Sequence, residues 1–252
     1  MSMLEINEVS ISFGGIKAVN SVSFSVEKGE VFSIIGPNGA GKTTVFNLIS
    51  RFYNVDQGTI VFEGQDLTTV STHQVGHHGI ARTFQNTELF EHETVLNNLM
   101  IGHHVHRKTN LLKEIFYLPQ VRNQDLDFRK NVEDVIDLMD LQNYREQVIG
   151  SLPYGARKMI EIARALCMQP KLLLLDEPSS GLNPEETEDL SFWIEDITEE
   201  LDITVLMVEH DMNLVNQVSD RVMALADGEL LAIGTPKEIQ EHPEVLRAYL
   251  GN

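Results

Sequence analysis

A single cysteine stands among 252 residues, so no internal disulfide can form. That suits a reducing compartment. Cys167 falls in an apolar helical stretch and reads as a small core residue. Apolar runs are short, and none reaches the roughly 18 residues that a membrane-spanning helix needs. The first residues, Met1-Ser2-Met3-Leu4-Glu5, have no basic segment followed by an apolar one, so no secretory leader is expected. A role at a membrane would therefore need another chain to hold this one there. Cations are scarce: 19 Lys and Arg against 38 Asp and Glu give a net charge of −19. That balance disfavours nonspecific binding to nucleic acid or anionic lipid. A polyanionic ligand would have to be captured by local positive potential. The acidity is uneven, with eleven Asp and Glu and no Lys or Arg from Asp176 to Asp202. Leu190, Trp193, Ile194, Ile197 and Leu201 recur there at helical spacing, so most of these acids line a solvated face. No internal repeat and no low-complexity linker is present.

The residues present read as a strand-rich start, a helical middle and an alternating end. A hydrophobic content of 42% is enough for one large domain or two small ones. Leu4 to Phe13 and Ser21 to Val26 alternate with period two, and a turn at Lys28-Gly29-Glu30 follows. Thr59 to Glu63 predicts another short strand between Gly58 and Gly64. These edge strands are expected to pair antiparallel. From about Glu88 to Ile160 strand signals stop. Val132, Val135, Ile136 and Met139 predict one amphipathic helix; Met159, Ile162, Ala163 and Leu166 predict another. Polar segments such as His103 to Asn110 and Gln120 to Asp127 are expected to connect helices. Three apolar runs follow: Leu172 to Leu175, Thr204 to Val208 and Val222 to Ala226. Separated by helical patterns, they predict a parallel sheet covered on both faces.

The most specific local pattern is Gly36-Pro37-Asn38-Gly39-Ala40-Gly41-Lys42-Thr43-Thr44, which fits G-x-x-x-x-G-K-[ST]. An apolar strand, Val31 to Ile35, runs into it. A helical pattern with Val45, Leu48, Ile49 and Phe52 on one face runs out. Glycines let several N–H groups turn inward toward an anion, and the helix adds its positive end. Lys42 supplies a charge for the β- and γ-phosphates, and the Thr43 hydroxyl can bind Mg²⁺.

Leu172 to Pro178 carries the second signal. A buried strand delivers Asp176 and Glu177 at its carboxyl end, where ligands sit in open α/β sheets. Asp176 can hold Mg²⁺ and Glu177 can polarise a water for attack on a γ-phosphate. Taken alone, the same residues also fit a strand followed by an acidic turn.

The third signal is Ser151-Leu152-Pro153-Tyr154-Gly155-Ala156-Arg157-Lys158, ahead of Ile160-Glu161-Ile162-Ala163-Arg164-Ala165-Leu166. Here the chain resembles the ATP-binding cassette family, whose signature is usually Leu-Ser-Gly-Gly-Gln followed by a helix ending Ala-Arg-Ala-Leu. The resemblance covers almost the whole chain. It implies an α/β fold: a phosphate-loop nucleotidase core with a mostly parallel sheet, an antiparallel β edge subdomain and an inserted helical subdomain. It implies one domain over 1–252, with core and β subdomain in 1–86 and 162–252. The helical subdomain would occupy 87–161 and carry the signature, where Tyr154 and Gly155 would contact nucleotide.

The family's remaining motifs have counterparts in order. Phe13, 23 residues before Gly36, stands where the family places an aromatic that stacks on adenine. Gln85, in Arg82-Thr83-Phe84-Gln85-Asn86, resembles the glutamine hinge that joins the two subdomains and reaches the metal and the catalytic site. Ser179-Ser180-Gly181-Leu182-Asn183 resembles the segment that crosses to the partner subunit, and His210 resembles the switch histidine at the γ-phosphate. Each has a plainer alternative: strand packing for Phe13, a solvated loop for Gln85, a structural role for His210. His77-His78 and His103-His104-His106 lack the Cys or carboxylate spacing of a metal site and read as polar loop residues.

Pro153 stands where the signature has Ser, and it offers neither hydroxyl nor N–H. Asn183 replaces the crossing segment's usual Asp. Cassettes of branched-chain amino-acid importers look like this, with Tyr-Gly in the signature and Gly-Leu-Asn-Pro after the acids. The resemblance therefore implies an ATPase using ATP and Mg²⁺, paired with a second cassette of the same or a paralogous kind. It also implies integral membrane permease subunits at the cytoplasmic membrane face, an external solute-binding protein acting indirectly, and no nucleic acid. Leu89, Phe90 and Val95, around Asn86 to Val95, are expected to meet a permease helix or to pack as a loop. The alternatives are a lipid or lipopolysaccharide exporter cassette and a soluble non-transport cassette. A kinase or GTPase is disfavoured, because no Asn-Lys-x-Asp guanine pattern is present and the signature-like segment has no place there.

Overall fold

Residues that alternate along the amino end have only one apolar face each, so their strands must share a core. The computed structural model describes residues 2–83, 88–106 and 119–250. These fall into two compact units, 1–85 with 171–252, and 86–170.

In the first unit, β1 (Ser2–Phe13) pairs antiparallel with β2 (Ile16–Glu27). A second sheet begins with β3 (Val31–Ile35), which leads to α1 (Lys42–Ile49). The first sheet resumes with β4 (Gln57–Phe62) and β5 (Gln65–Asp66), in the order β2-β1-β4-β5. Then come β6 (Ile80–Arg82), β7 (Leu172–Asp176), β8 (Thr204–Val208), β9 (Arg221–Ala226) and β10 (Glu229–Gly234). They build a six-stranded sheet in the order β10-β9-β3-β8-β7-β6, parallel except for β10. Every residue of β3, β7 and β8 is buried, as expected for strands covered on both faces.

One core joins the two sheets around α1. Phe46, Leu48 and Ile49 of the helix pack with Phe32, Leu174 and Leu206 of the parallel sheet and Leu4, Val22 and Ile60 of the antiparallel one. Phe24 stacks on Phe32 with centroids 5.5 Å apart. Burying these side chains is the main stabilising term, at about 1.5–3 kcal/mol each.

Several expectations shift here. β2 starts at Ile16 rather than Ser21, and β4 starts at Gln57 rather than Thr59. β6 and β10 are strands that no run announced. α1 stops at Ile49, because Arg51 turns left-handed at φ 61, so Phe52 leaves the helix face and is half exposed.

In the second unit, the sequence numbers α2 (Val95–Gly102), α3 (Pro119–Leu138) and α4 (Tyr154–Leu166). The Thr94 hydroxyl caps α2 by accepting from Asn97 N–H. α2 and α4 touch closely: a Cβ on Gly102 would lie 2.5 Å from the Arg164 carbonyl oxygen. Gln120 to Asp127, expected to be a connection, lies inside α3. Buried Val121 and half-buried Phe128 are seven residues apart and face one side, enough to bind a polar turn to a helix. His103, expected in a polar loop, is buried and stacked on Phe128 at 4.6 Å. The boundary expected at 161/162 falls inside α4, whose whole length belongs to this unit.

Beyond β7 the first unit adds α5 (Pro184–Glu199), α6 (Met212–Val218), α7 (Pro236–Glu241) and α8 (Pro243–Leu250). Among the described residues, no helix is long and apolar enough to cross a membrane.

Candidate functional site

The site begins where β3 ends. Gly36 has φ 153, and a Cβ there would lie 2.1 Å from the Leu225 carbonyl oxygen, so only glycine fits. Gly41 has φ 100, and a Cβ would come within 2.4 Å of the Ala18 carbonyl oxygen. The loop therefore folds tightly against β9 and β2 before entering α1. Val45 N–H makes the first turn's bond, to Gly41 C=O at 3.0 Å. The N–H groups of Lys42, Thr43 and Thr44 precede it and have no earlier helical carbonyl to bind.

Lys42 is buried, and its Nζ donates to the carbonyls of Gly36 at 2.7 Å and Pro37 at 3.1 Å. Burial pulls its ammonium below the ordinary lysine range, while the nearby Glu177 and Asp176 carboxylates oppose that shift. Two neutral carbonyls are weak partners for a buried cation, so an entering anion would exchange for them favourably. A cavity of about 200 Å³ is lined by Ala18, Asn38 to Thr44, and Glu177. Orphan helix amides, a buried ammonium and a strand-end carboxylate thus meet in one space. A cavity of about 540 Å³ in the second unit is larger, but it is walled by Met100, His103, Arg122 and Phe128 and holds no such row of amides. Donor chemistry, not volume, selects the smaller one.

Glu177 follows β7 directly and sits left-handed at φ 49, with its N–H donating to Val208 C=O at 2.9 Å. Such a backbone costs about 1–3 kcal/mol and persists where neighbours hold it. Asp176 is buried, and its Oδ2 accepts from Arg82 Nη2 at 2.8 Å. Arg82 escaped the reading of the sequence. Its Nη1 donates to Asn47 Oδ1 at 2.8 Å and Ser50 Oγ at 2.7 Å, and its guanidinium lies over the rings of Phe46 and Phe52. The only local signal was a cation closing a short apolar stretch just ahead of Gln85.

His210 follows β8 and is 57% exposed, so it is not a packed core histidine. Glu209 beside it is fully buried and accepts from Ser179 N–H and His210 N–H, both at 2.8 Å. Asn183 caps α5 reciprocally with Glu186, so Asn serves there as an N-cap. Phe13 is 43% exposed at the end of β1 and meets Tyr53 edge-on at 5.0 Å, so it is not in the strand core.

Pro153 is the N-cap of α4, with Tyr154 exposed and Gly155 buried behind it. Gly155 N–H belongs to the first turn, where helix amides lack internal partners. Gln85, with Asn86 and Thr87, lies outside the described residues. Of the expected docking trio, Phe90 is 54% exposed, Leu89 is half buried and Val95 is fully buried in α2. Val95 is therefore a core residue of its unit and is not available to a partner.

A family model described as ABC transporter matches residues 19–180, and one described as branched-chain amino acid ATP-binding cassette transporter matches 229–252. The chain is 40% identical over 249 residues to a high-affinity branched-chain amino acid transport ATP-binding protein, BraF, of Pseudomonas aeruginosa. That match covers 99% of this chain and 98% of the relative. It is 39% identical to LivG of Escherichia coli, described in the same words, with the same coverage. Among solved structures, the ADP conformation of MJ1267, an ATP-binding cassette of an ABC transporter, is 32% identical. It has a TM-score of 0.87, with 100% of both chains covered. A nucleotide-free ATP-binding cassette from an ABC transporter is 30% identical with a TM-score of 0.86, again over both whole chains.

Proposed function

Because the chain belongs to the ABC transporter family, we propose that it is the ATP-binding and ATP-hydrolysing subunit of an importer for branched-chain amino acids or similar small organic solutes. The observation that carries this reading is the convergence of the α1 amides, Lys42 and Glu177 on one cavity. Family and full-length similarity to amino-acid transport cassettes support the solute class.

The triphosphate of ATP binds the amides of Gly39 to Thr44, and Lys42 leaves its two carbonyls for the β- and γ-phosphates. Phe13 stacks on adenine. Thr43, Asp176 and Gln85 would hold Mg²⁺, which supplies neutralising charge to the phosphate oxygens. Hydroxyl and carboxylate oxygens beside a phosphate cradle suit such a hard cation. Glu177 accepts a proton from the attacking water as that oxygen bonds to the γ-phosphorus and ADP departs. His210 is exposed on the loop after β8 and contacts the γ-phosphate.

The site is completed by a second cassette, whose Tyr154-Gly155 segment covers the phosphates. ATP then favours the closed pair because its γ-phosphate contacts both subunits, and hydrolysis removes that preference. The Gln85 segment passes the motion to membrane permease subunits, fed by an external solute-binding protein. The chain would thus work peripherally at the cytoplasmic membrane face. Lys42→Ala tests the cradle. ATP affinity by calorimetry is expected to fall at least tenfold with the fold retained, and unchanged affinity and turnover would refute the assignment.

A further inference from the structure

Glu209 is a buried acid with a use that its sequence position does not reveal. It follows β8, its side chain is 0% exposed, and both its oxygens are engaged by backbone. Oε1 accepts from Ser179 N–H at 2.8 Å. Oε2 accepts from His210 N–H at 2.8 Å and Asp211 N–H at 3.1 Å. The residue's own N–H donates to Ile34 C=O at 3.2 Å, just before the phosphate loop. A carboxylate is a rigid plane with two acceptors, and here one acceptor serves each of two separate loops. Bonds from N–H to a buried charge are strong and directional, so neither loop can shift without straining the other.

We propose that Glu209 is a positioning residue that couples the Ser179–Asn183 segment to the His210 loop. Contact of a second subunit with one loop then sets the other at the γ-phosphate. The proposal rests on the nucleotide-dimer reading above and adds the element that makes the two contacts cooperative. Glu209 is not a catalytic residue, because its oxygens are consumed by backbone.

Glu209→Gln keeps the size but turns one acceptor into a donor, so one loop must lose its partner. The test measures ATP affinity, KM and kcat in Glu209→Gln, and ATP-driven dimerisation by sedimentation in Glu177→Gln with and without the second change. The expected result is ATP affinity and KM within about threefold, kcat lower by tenfold or more, and dimerisation lost only in the double variant. Unchanged kcat and dimerisation would overturn the proposal. So would parallel losses of ATP affinity and dimerisation, which mark a merely structural role. Hydrogen exchange in the folded Glu177→Gln chain tests the same point if Glu209→Gln does not fold: ATP should change protection at Ser179–Asn183 and at His210–Asp211 together. Independent responses would sink the coupling. If Glu177→Gln alone fails to dimerise, the nucleotide-dimer reading fails, and the exchange result decides the coupling by itself.

Discussion

Asp176 closes β7, and Glu209 follows β8, the next strand in the sheet. Both carboxylates are buried, at 4% and 0% exposure, yet they are stabilised in opposite ways. Asp176 faces a side chain, the Arg82 guanidinium, which is itself anchored on Asn47 of α1 and on Ser50, the C-cap of that helix. Glu209 accepts from main-chain N–H groups of the loops around it, with the His210 Nδ1 farther off at 4.0 Å from Oε2. A side-chain ion pair fixes a carboxylate as an object, ready to meet a ligand. A backbone cage uses the carboxylate to fix everything else. Neighbouring strand ends therefore differ: β7 ends in an ion-paired carboxylate, and the carboxylate after β8 holds loops.

The largest effect should come from Glu177, the general base proposed just after β7. Glu177→Gln is expected to lower phosphate release by 10²-fold or more, the usual worth of a general base, with ATP binding retained. Normal turnover would erase the distinction between the two strand ends. Next is the guanidinium. Arg82→Ala leaves Asp176 buried without its cation and is expected to cost about 3–5 kcal/mol in urea unfolding. Asp176→Asn added to it should recover much of that loss; additive losses would mean that the pair is not the source. Smaller again is the cap beyond the crossing segment. Asn183→Ala removes the acceptor for Glu186 N–H and should cost about 1 kcal/mol by the same measurement.

The smallest effect lies in the helical unit, which serves as a control. Burial pushes the Cys167 thiol up to about 12 from its ordinary 9.0. The native chain keeps that proton while the unfolded chain releases it. Any stability due to this site is therefore complete below pH 9 and declines as pH rises toward 12. Alkylation by iodoacetamide at pH 8 should track global unfolding, and fast labelling of the native chain would show that the site is open.

Much of the first unit was legible because its signals are local. Val31 to Ile35 and Thr204 to Val208 are strands with the bounds their apolar runs predict, since a strand buried on both faces tolerates nothing else. The phosphate loop declared itself through glycines that the backbone at Gly36 and Gly41 demands. What stayed hidden depends on distant partners. β10 was missed because its residues are only half buried, so no apolar run marks an edge strand. Arg82 was missed because its partner Asp176 is 94 residues away. The polar segment in α3 was misjudged because two ring and branched side chains seven residues apart outweigh the charges between them. For Val95 the sequence left partner contact and internal packing open, because an apolar side chain after a loop has the same letter whether it faces a partner or its own core, and the structure buries it.

By itself the sequence determined the order of strand, loop and helix, the glycines that let amides converge on an anion, and the acids at and just after the end of β7. These follow from steric limits and periodicities that act over a few residues. Only the tertiary structure decided which cation stands beside Asp176, where Phe13 and Val95 lie relative to the core, and that Glu209 clasps two loops. Those outcomes depend on burial and on hydrogen bonds between segments 30 or more residues apart, and a carboxylate's partner is chosen only when the strands carrying both have been brought together.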